Sequence, residues 1–316
     1  MFPPVLFKKV KRNNKKRVVL RAAAILLIGS VLGFIAAGLW SLTWNDRVFT
    51  VRYELASDKV DSGFRVLLIT DLHLREFGEG NSMLVARARD AAPDIICLGG
   101  DMIETYASYE QDEAFVSLVK RLVEIAPVYI GIGNHDAFAF YSWCARTDME
   151  MTSFGGVTNL TRAVEEAGAV VLEKGYEDIE INGEKVRIGG FYPFAFRDEG
   201  DTDESWESRR VFLEDYCDTE LFKLMISHRA VSFYREDAPD NWDIDLVVSG
   251  HTHNGVVALP GIGAIWENEG FFPKHSRGMF HEGKLNIVVC AGLDGHGCIP
   301  RVFNPPEIVV IDVKAK

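Results

Sequence analysis

Five short apolar runs constrain the fold of this chain most strongly, because each of them ends in a cluster of polar side chains. The runs cover residues 64–70, 95–98, 128–132, 224–227 and 246–249. Short continuous apolar runs are typical of strands that are buried on both faces of a sheet. Helix-like stretches at residues 81–92, 111–124 and 159–167 lie between several of the runs. Alternation of strands and helices predicts parallel crossovers, which bring the carboxyl ends of the strands to one sheet edge.

The polar clusters that follow the runs contain side chains that bind metals. They are Asp71-Leu72-His73, Gly100-Asp101, Gly133-Asn134-His135-Asp136, His228 and Gly250-His251-Thr252-His253. Together they offer carboxylates, imidazoles and one amide, which is enough to hold two divalent cations side by side. The neighbouring glycines allow the sharp turns that such a site needs.

In this order, the clusters resemble the pattern of the calcineurin-like metallophosphoesterases: D-x-H, G-D, G-N-H-[DE], H and G-H-x-H. Further matches at residues 250–255, 259–263 and 304–308 and at Arg301 resemble a membrane-associated bacterial branch. That branch includes envelope phosphodiesterases and UDP-2,3-diacylglucosamine pyrophosphatases. The resemblance covers residues 49–313. It implies an α/β (α+β) fold, a four-layer sandwich of two mixed β-sheets flanked by helices.

The resemblance also implies a role for each motif residue. The first metal would be bound by Asp71, His73 and His253. The second metal would be bound by Asn134, His228 and His251. Asp101 would bridge the two metals, His135 would be the catalytic histidine, and Asp136 would orient His135 or support it structurally. We expect two divalent metal ions. Manganese is the preferred metal, with iron, zinc or nickel as alternatives, since nitrogen and oxygen ligands suit these metals better than calcium.

Two cations about 3.5–4 Å apart can polarise a phosphoryl oxygen and share a water whose pKa falls towards roughly 7. The bridging hydroxide could attack phosphorus in line while His135 protonates the leaving oxygen. With Asp71 and Asp101 as the carboxylate ligands and one hydroxide, the site keeps one positive charge, which favours a phosphoester. Other metallohydrolases are excluded by residue type, because β-lactamase-like enzymes need H-x-H-x-D-H and amidohydrolase barrels need H-x-H after the first strand.

We therefore expect a phosphoesterase that acts on phosphodiester or pyrophosphate bonds of small-molecule, envelope or lipid-linked substrates. A phosphomonoesterase of the same fold, or a catalytically weak module that binds phosphate ligands, remains an alternative. Arg75 and Arg301 are candidate substrate residues, because a guanidinium matches the geometry of phosphate. Aromatic residues at 137–143, 191–196 and 271–272 either clasp the substrate or pack in the core and lid.

The N-terminus predicts a membrane anchor. Residues 1–21 carry eight basic and no acidic side chains, and the nineteen residues from Ala22 to Trp40 carry no charge. This length suits a membrane-spanning helix, and the flanking charges predict a cytoplasmic N-terminus with the catalytic part outside. We therefore divide the chain into a leader at 1–21, an anchor at 22–44 and a metallophosphoesterase domain at 45–316. A cleaved signal peptide is the alternative.

Charge and cysteine content limit the possible partners. The chain has 34 basic and 46 acidic residues, so that without the leader the balance is −20, which disfavours nucleic acid as a partner. We expect a monomer. Cys97 and Cys290 lie in predicted strands and should be buried free thiols, whereas Cys144, Cys217 and Cys298 leave one disulfide open. Asn182-Gly183 predicts a hairpin turn between strands at 177–181 and 185–188. Further strands are predicted at 49–55, 256–259, 285–290 and 307–313.

Overall fold

The computed structural model describes residues 6–105, 107–140, 159–267, 270–295 and 299–316. Two six-stranded mixed sheets form the body of the described chain. In spatial order, the first sheet contains β1 (Phe49–Ser57), β16 (Glu307–Ala315), β2 (Phe64–Ile69), β3 (Ile95–Leu98), β4 (Val128–Gly131) and β5 (Val170–Leu172). Only β16 and β2 pair antiparallel among these neighbours, so β2 to β5 all end at one edge.

The second sheet also contains four neighbouring parallel strands. In spatial order it contains β6 (Lys174–Ile181), β7 (Glu184–Phe191), β8 (Phe222–Arg229), β9 (Leu246–Gly250), β15 (Leu285–Val289) and β14 (Gly278–Glu282). Strands β7, β8, β9 and β15 are parallel, and an antiparallel strand closes each edge. Two short antiparallel ribbons lie outside the sheets: β10 (Ala258–Leu259) with β11 (Gly263–Ala264), and β12 (Trp266–Glu267) with β13 (Gly270–Phe271).

The described residues also form helices. They are α1 (Leu6–Leu42), α2 (Ser82–Ala91), α3 (Tyr109–Val123), α4 (Ala137–Phe140), α5 (Asn159–Glu166), α6 (Asp203–Cys217), α7 (Val231–Tyr234) and α8 (Ala238–Asn241), with 3-10 turns at Glu79–Asn81 and His253–Gly255. Helix α3 begins two residues before the predicted start because Ser108 and Gln111 form a reciprocal capping box. The other two predicted helices match α2 and α5 to within one residue at each end.

Alternation along the strands builds three apolar layers. In β2, Val66 and Leu68 point between the sheets and meet Leu224 and Val248 of the second sheet. Leu67 and Ile69 point the other way, towards α2, α3 and α5. The outer face of the second sheet packs against α6 and α7. The order helix, sheet, sheet, helix confirms the predicted four-layer sandwich.

Most predicted strands are confirmed, with one shorter than expected. The β6–β7 hairpin turns at Asn182 and Gly183, which have φ of 54° and 84° and so suit a primed turn. The strand predicted at 256–259 narrows to β10, although Val257 also bridges to Val302. Cys97 and Cys290 are buried free thiols as predicted, and Cys217 is also free. Cys144 and Cys298 lie outside the described residues.

Helix α1 is longer than the predicted anchor. Its segment Lys15–Leu42 is the one helix among the described residues that is long and apolar enough to cross a membrane, a property that a signal sequence shares. The C-terminal part of α1 packs on the two-sheet body, where the ring centres of Phe34 and Phe303 are 5.6 Å apart. The backbone N–H of Phe303 donates a hydrogen bond to Ser41 Oγ at 2.6 Å.

Candidate active site

The predicted ligands meet where the carboxyl ends of the two sheets face each other. Loops after β2, β3 and β4 supply Asp71, His73, Asp101 and Asn134 from the first sheet. His228 lies near the end of β8, and His251 and His253 follow β9 in the second sheet. Residues 180 positions apart therefore become neighbours, and the backbone N–H of His251 donates to Asp71 Oδ1 at 3.0 Å.

Three overlapping groups have ligand atoms within 4.8 Å of one another: Asp71 with His73 and His253, His73 with Asp101 and His135, and Asp101 with His228 and His251. The carboxylate of Asp101 belongs to two of these groups. Its Oδ2 lies 3.1 Å from His228 Nε2 and 3.8 Å from His73 Nε2. Asp101 is thus placed between the ligands predicted for the first metal and those predicted for the second.

The donor set fits a metal centre. His73 Nε2 and Asn134 Oδ1 are buried and have no hydrogen-bond partner. Buried polar atoms without partners are rare and costly, and coordination to a cation would satisfy both. Asn134, the seventh predicted ligand, lines the same cavity as Asp101 and His251. All seven predicted ligands therefore lie at one place.

The backbone of the ligand loops is tightly folded. Asp71, His73, Asp101, His251 and His253 all have φ between 47° and 72°, a region that non-glycine residues seldom adopt. Such strained conformations concentrate at functional sites, where the surrounding structure holds them. At Gly133 a Cβ would collide with Asp101 Oδ1, so only glycine lets these two loops approach each other.

The histidines are oriented through their Nδ1 atoms. His228 Nδ1 donates to the carbonyl of Gly99, and His253 Nδ1 donates to the carbonyl of Asp294, both at 2.9 Å. His73 and His135 instead share one carboxylate, because Glu104 Oε1 is 2.9 Å from His73 Nδ1 and Glu104 Oε2 is 3.0 Å from His135 Nδ1. A fixed Nδ1 partner leaves Nε2 of each ring for a metal or for substrate.

Glu104 is a residue that the sequence analysis missed. It stands three positions after Asp101 in a loop without periodic pattern, so neither helix nor strand spacing marks it. A carboxylate shortly after the Gly-Asp motif is the signal that could have indicated it. Glu104 contacts both His73 and His135 and therefore orients the two imidazole rings that the first sheet contributes to the site.

Asp136 connects two of the ligand loops. Its buried carboxylate accepts backbone N–H groups of Asp101, Met102, Ile103 and Gly133, at 2.6 to 3.1 Å. It therefore ties the Gly-Asp loop to the Gly-Asn-His loop and does not orient the His135 ring, which Glu104 contacts. Burial and the nearby charge of Asp101 raise the pKa of Asp136 to about 6. The structure gives Asp136 a structural position, which was the second of the two predicted options.

The charges at the cluster are strongly coupled. Burial lowers the pKa of His228, but the charge and hydrogen bond of Asp101 outweigh burial and raise it to about 9. For His73, burial is likewise outweighed by Glu104, Asp101 and Asp71, and the pKa rises to about 8. Burial together with the charge of His228 lowers the pKa of His251 to about 3. Imidazole must be neutral to bind metal, so metal binding would release protons from His73 and His228.

Neither predicted substrate arginine lines the cavity at the ligand cluster in the described ranges. Arg301 is fully buried, and its guanidinium donates to the backbone carbonyls of Asn304, Asp294 and Ala291. This corrects the prediction that Arg301 binds substrate phosphate. Arg75 donates to Asp294 Oδ1 at 3.0 Å and to the carbonyl of Asn45 at 2.7 Å, so it ties the segment after α1 to the loop at 294.

A third arginine, Arg229, lies beside the second-sheet ligands. It directly follows His228 and pairs with Gly250 across β8 and β9. Its guanidinium carbon lies 4.7 Å from the Tyr192 ring centre and 4.5 Å from that of Phe194. Its Nε is buried without a hydrogen-bond partner among the described residues. Arg229 was not predicted to bind substrate. Its position directly after His228 is the feature of the sequence that could have indicated it.

A cavity of about 450 Å³ opens at the cluster. One wall is polar and contains Asn134, His135 and His251. The other wall is apolar and contains, among others, Val257, Ile265, Trp266 and Ile299. Of the predicted aromatic segments, Phe191 is a core residue and residues 271–272 are exposed. Residues 141–143 lie outside the described residues.

Comparisons with known proteins agree with this geometry. The family model for calcineurin-like phosphoesterases matches residues 64–255, which include every predicted ligand. The chain is 24% identical to the uncharacterized metallophosphoesterase YkuE of Bacillus subtilis, over 80% of each chain. It is 26% identical to phosphodiesterase YaeI of Escherichia coli, over 83% of this chain and 87% of that protein. The protein TT1561 of Thermus thermophilus overlays with a TM-score of 0.45 at 16% identity, covering 73% of this chain and 91% of that one. With its matched region covering more than half of the sequence and the whole ligand cluster, the chain belongs to the calcineurin-like phosphoesterase family and is a phosphoric ester hydrolase.

Proposed function

We propose that this protein is a dinuclear phosphoesterase that hydrolyses phosphodiester or pyrophosphate bonds of envelope or lipid-linked metabolites. The observation that carries the proposal is the position of Asp101, whose carboxylate lies between two groups of ligands with His135 beside it. Asp71, His73 and His253 would hold one metal, and Asn134, His228 and His251 the other. Two divalent cations in these positions would supply Lewis acidity and an activated water to the reaction.

His135 is the proton donor of the proposed mechanism. Its backbone N–H donates to Asp101 Oδ1 at 2.8 Å, which fixes the residue next to the bridging position. Its ring centre is 4.8 Å from that of His73, and the side chain remains partly exposed to the cavity. Glu104 holds Nδ1, so Nε2 is the atom that would protonate the leaving oxygen.

Arg229 replaces Arg75 and Arg301 as the proposed contact to substrate phosphate. It does not line the described cavity either, but its charge acts on His251, which does. The rings of Tyr192 and Phe194 orient the guanidinium without neutralising it, and its Nε has no hydrogen-bond partner among the described residues. Arg229→Gln should raise KM for a phosphodiester by about tenfold, the worth of one charged hydrogen bond, and change kcat less. Arg235→Gln is the matched control. An equal KM for the two variants would show that Arg229 does not contact the substrate.

The test of the proposed function is hydrolysis of bis-p-nitrophenyl phosphate by the full-length protein in detergent. We expect activity with manganese, iron, zinc or nickel, its loss with a chelator, and two metal ions per chain by elemental analysis. p-Nitrophenyl phosphate, a monoester, separates the proposed diesterase from a phosphomonoesterase. Activity that persists in the presence of the chelator would contradict the proposal. No activity with any of the four metals would also contradict it and would favour the alternative of a module that binds phosphate ligands.

We also propose that α1 is a retained anchor, with the N-terminus in the cytoplasm and the catalytic body outside. The exposed apolar residues of Lys15–Leu42 and the basic residues before them support this orientation. We expect the full-length chain to stay in membranes at alkaline pH, as a monomer, with a body that added protease reaches from outside the cytoplasm. A processed N-terminus found by sequencing the mature protein would instead indicate a cleaved signal.

A further inference from the structure

A patch of exposed apolar side chains lies beside the active site. Outside α1, the described residues include seven large hydrophobic side chains that are exposed, and five of them belong to this patch. Their exposed fractions are 66% for Ile262, 53% for Trp266, 76% for Phe271, 56% for Phe272 and 54% for Ile299. A concentration of this kind on a folded body marks an interaction surface. We name these five residues the apolar patch.

Backbone hydrogen bonds connect the apolar patch to the loop at residues 299–303, which contacts α1. Val302 donates to the carbonyl of Val256 at 3.2 Å and accepts from Ala258 at 3.0 Å. Ile265 donates to the carbonyl of Val257, and Phe272 donates to the carbonyl of Ile265. Residues 299–303 and the two short ribbons β10–β13 therefore form one continuous piece of structure.

This piece contacts α1 inside its apolar stretch. Phe303 packs on Phe34, and a Cβ added at Gly38 would lie 3.8 Å from Val302. Phe34 precedes Trp40 by six residues, which is about 9 Å along a helix axis. The body thus meets α1 well before the end of its apolar segment. A bilayer that surrounds α1 at Phe34 would also reach the loop at 302–303 and the patch attached to it.

The same piece forms the apolar wall of the active-site cavity. Trp266 and Ile299 belong both to the patch and to the cavity lining, with Val257 and Ile265 behind them. The polar wall opposite contains His135 and His251. An amphiphile could therefore rest its chain against the patch while its phosphate reaches the ligand cluster.

We propose that the apolar patch inserts into the surface of the lipid bilayer next to α1, and that the site takes phosphoesters with a long apolar chain from that bilayer. This inference rests on the proposed phosphoesterase function and on α1 as an anchor. The bilayer is favoured as occupant because the patch is continuous with the apolar helix that would lie in it. Buried apolar area then adds to membrane binding at this face.

The first experiment measures contact with lipid, independently of activity. Full-length Phe271→Trp and Val211→Trp are reconstituted into vesicles of phosphatidylethanolamine and phosphatidylglycerol whose acyl chains are brominated near the headgroup. Val211 is the matched control, an exposed apolar residue on α6. The quantity measured is the fluorescence that each added tryptophan contributes above that of the parent protein, which already has six tryptophans. We expect the contribution at 271 to fall by at least about half and the one at 211 to stay almost unchanged, because bromine quenches only at short range. Equal quenching at the two positions would overturn the proposal.

The second experiment compares two phosphodiesters that release the same nitrophenolate: ethyl p-nitrophenyl phosphate in solution and hexadecyl p-nitrophenyl phosphate in vesicles. In the double variant Ile262→Ser, Phe271→Ser we expect kcat/KM for the hexadecyl ester to fall about tenfold, because two large apolar contacts with lipid are lost. The ethyl ester should stay within about twofold, as should both esters with Val211→Ser. Hexadecyl turnover that matches the parent protein would overturn the inference and leave the phosphoesterase function intact. Absence of ethyl ester hydrolysis in the parent would instead contradict the function itself.

Discussion

The histidines of the two sheets are held in different ways. On the first sheet, His73 and His135 share the side-chain carboxylate of Glu104. On the second sheet, His228 and His253 bond to backbone carbonyls. Backbone partners are fixed by the fold, whereas a side-chain partner can be changed without changing the fold. The comparison indicates that the second sheet supplies a rigid set of imidazoles and that the chemistry of the first sheet can be tuned through one residue.

Asp101 joins the two halves, so its loss should have the largest effect. Asp101→Ala removes the carboxylate that lies between His73 and His228. We expect both metals to be lost and activity to fall by about 10³-fold or more, since several kcal/mol of transition-state stabilisation depends on them. Elemental analysis and bis-p-nitrophenyl phosphate hydrolysis measure the two effects. Asp178→Ala, which breaks an ion pair with Arg187 on the second sheet, is the control. Full occupancy of both metals in Asp101→Ala would refute the bridging role.

His135 sharpens the comparison because it is the one oriented histidine that we do not assign to a metal. His135→Ala should keep both metals and lose about 10²- to 10⁴-fold in kcat, the usual worth of a positioned acid. His275→Ala is the matched control, since His275 bonds to Glu282, stacks on Tyr234 and belongs to none of the ligand groups found among the described residues. A metal content that falls together with the rate would make His135 a ligand and not an acid.

Glu104 tests the difference between the two sheets directly. Glu104→Gln keeps the shape of the side chain but removes the charge that both first-sheet histidines contact. We expect activity or metal affinity to fall by about 10- to 100-fold, the usual effect of a partner of metal ligands. The pH dependence of the rate should also shift, because His73 and His135 lose the same carboxylate. Glu282→Gln, which removes the corresponding partner of His275, should leave rate and pH profile unchanged. An unchanged profile in Glu104→Gln would mean that the two sheets do not differ in this respect.

The predicted ligands lie together because each stands near or just after the carboxyl end of a strand that the sequence indicates. Apolar runs ending in Asp71, Asp101 and Asn134 specify both the sheet and the edge at which these residues meet. Site residues that do not stand at the end of an apolar run could not be predicted in this way. Glu104 lies in an aperiodic loop, and its partners come from two other loops. Nothing local in the sequence indicates that these loops converge.

Burial explains the errors on charged residues. Arg301 resembles a phosphate ligand in sequence, but the fold encloses it and three backbone carbonyls take its donors. The apolar patch was recognised only as aromatic residues at 271–272, because its continuity with α1 depends on hydrogen bonds between distant segments. A sequence shows which side chains are suited to anions or lipid, whereas only the folded chain shows which of them remain accessible.

The smallest expected effect concerns the opposite end of the two sheets. Glu184 begins β7 in the second sheet, and its carboxylate accepts backbone N–H groups of Asp61, Ser62 and Gly63, just before β2 in the first sheet. These hydrogen bonds lower the pKa of Glu184, chiefly through Ser62. A lowered folded-state pKa means that the stabilisation is present above the ordinary carboxyl pKa and is lost as pH falls through the lowered value.

Glu184→Gln should therefore lower the free energy of unfolding by about 1 kcal/mol at neutral pH, or Tm by about 2–4 °C, because the amide is a weaker acceptor. Thermal unfolding of the full-length protein in detergent, at neutral and at acid pH, measures this, with the exposed Glu180→Gln as control. The difference between Glu184→Gln and the parent should shrink towards acid pH, while metal content and rate stay unchanged. A loss of activity would show that the far ends of the sheets help to align the two halves of the site. The rigidity assigned to the second sheet would then depend on its contact with the first sheet.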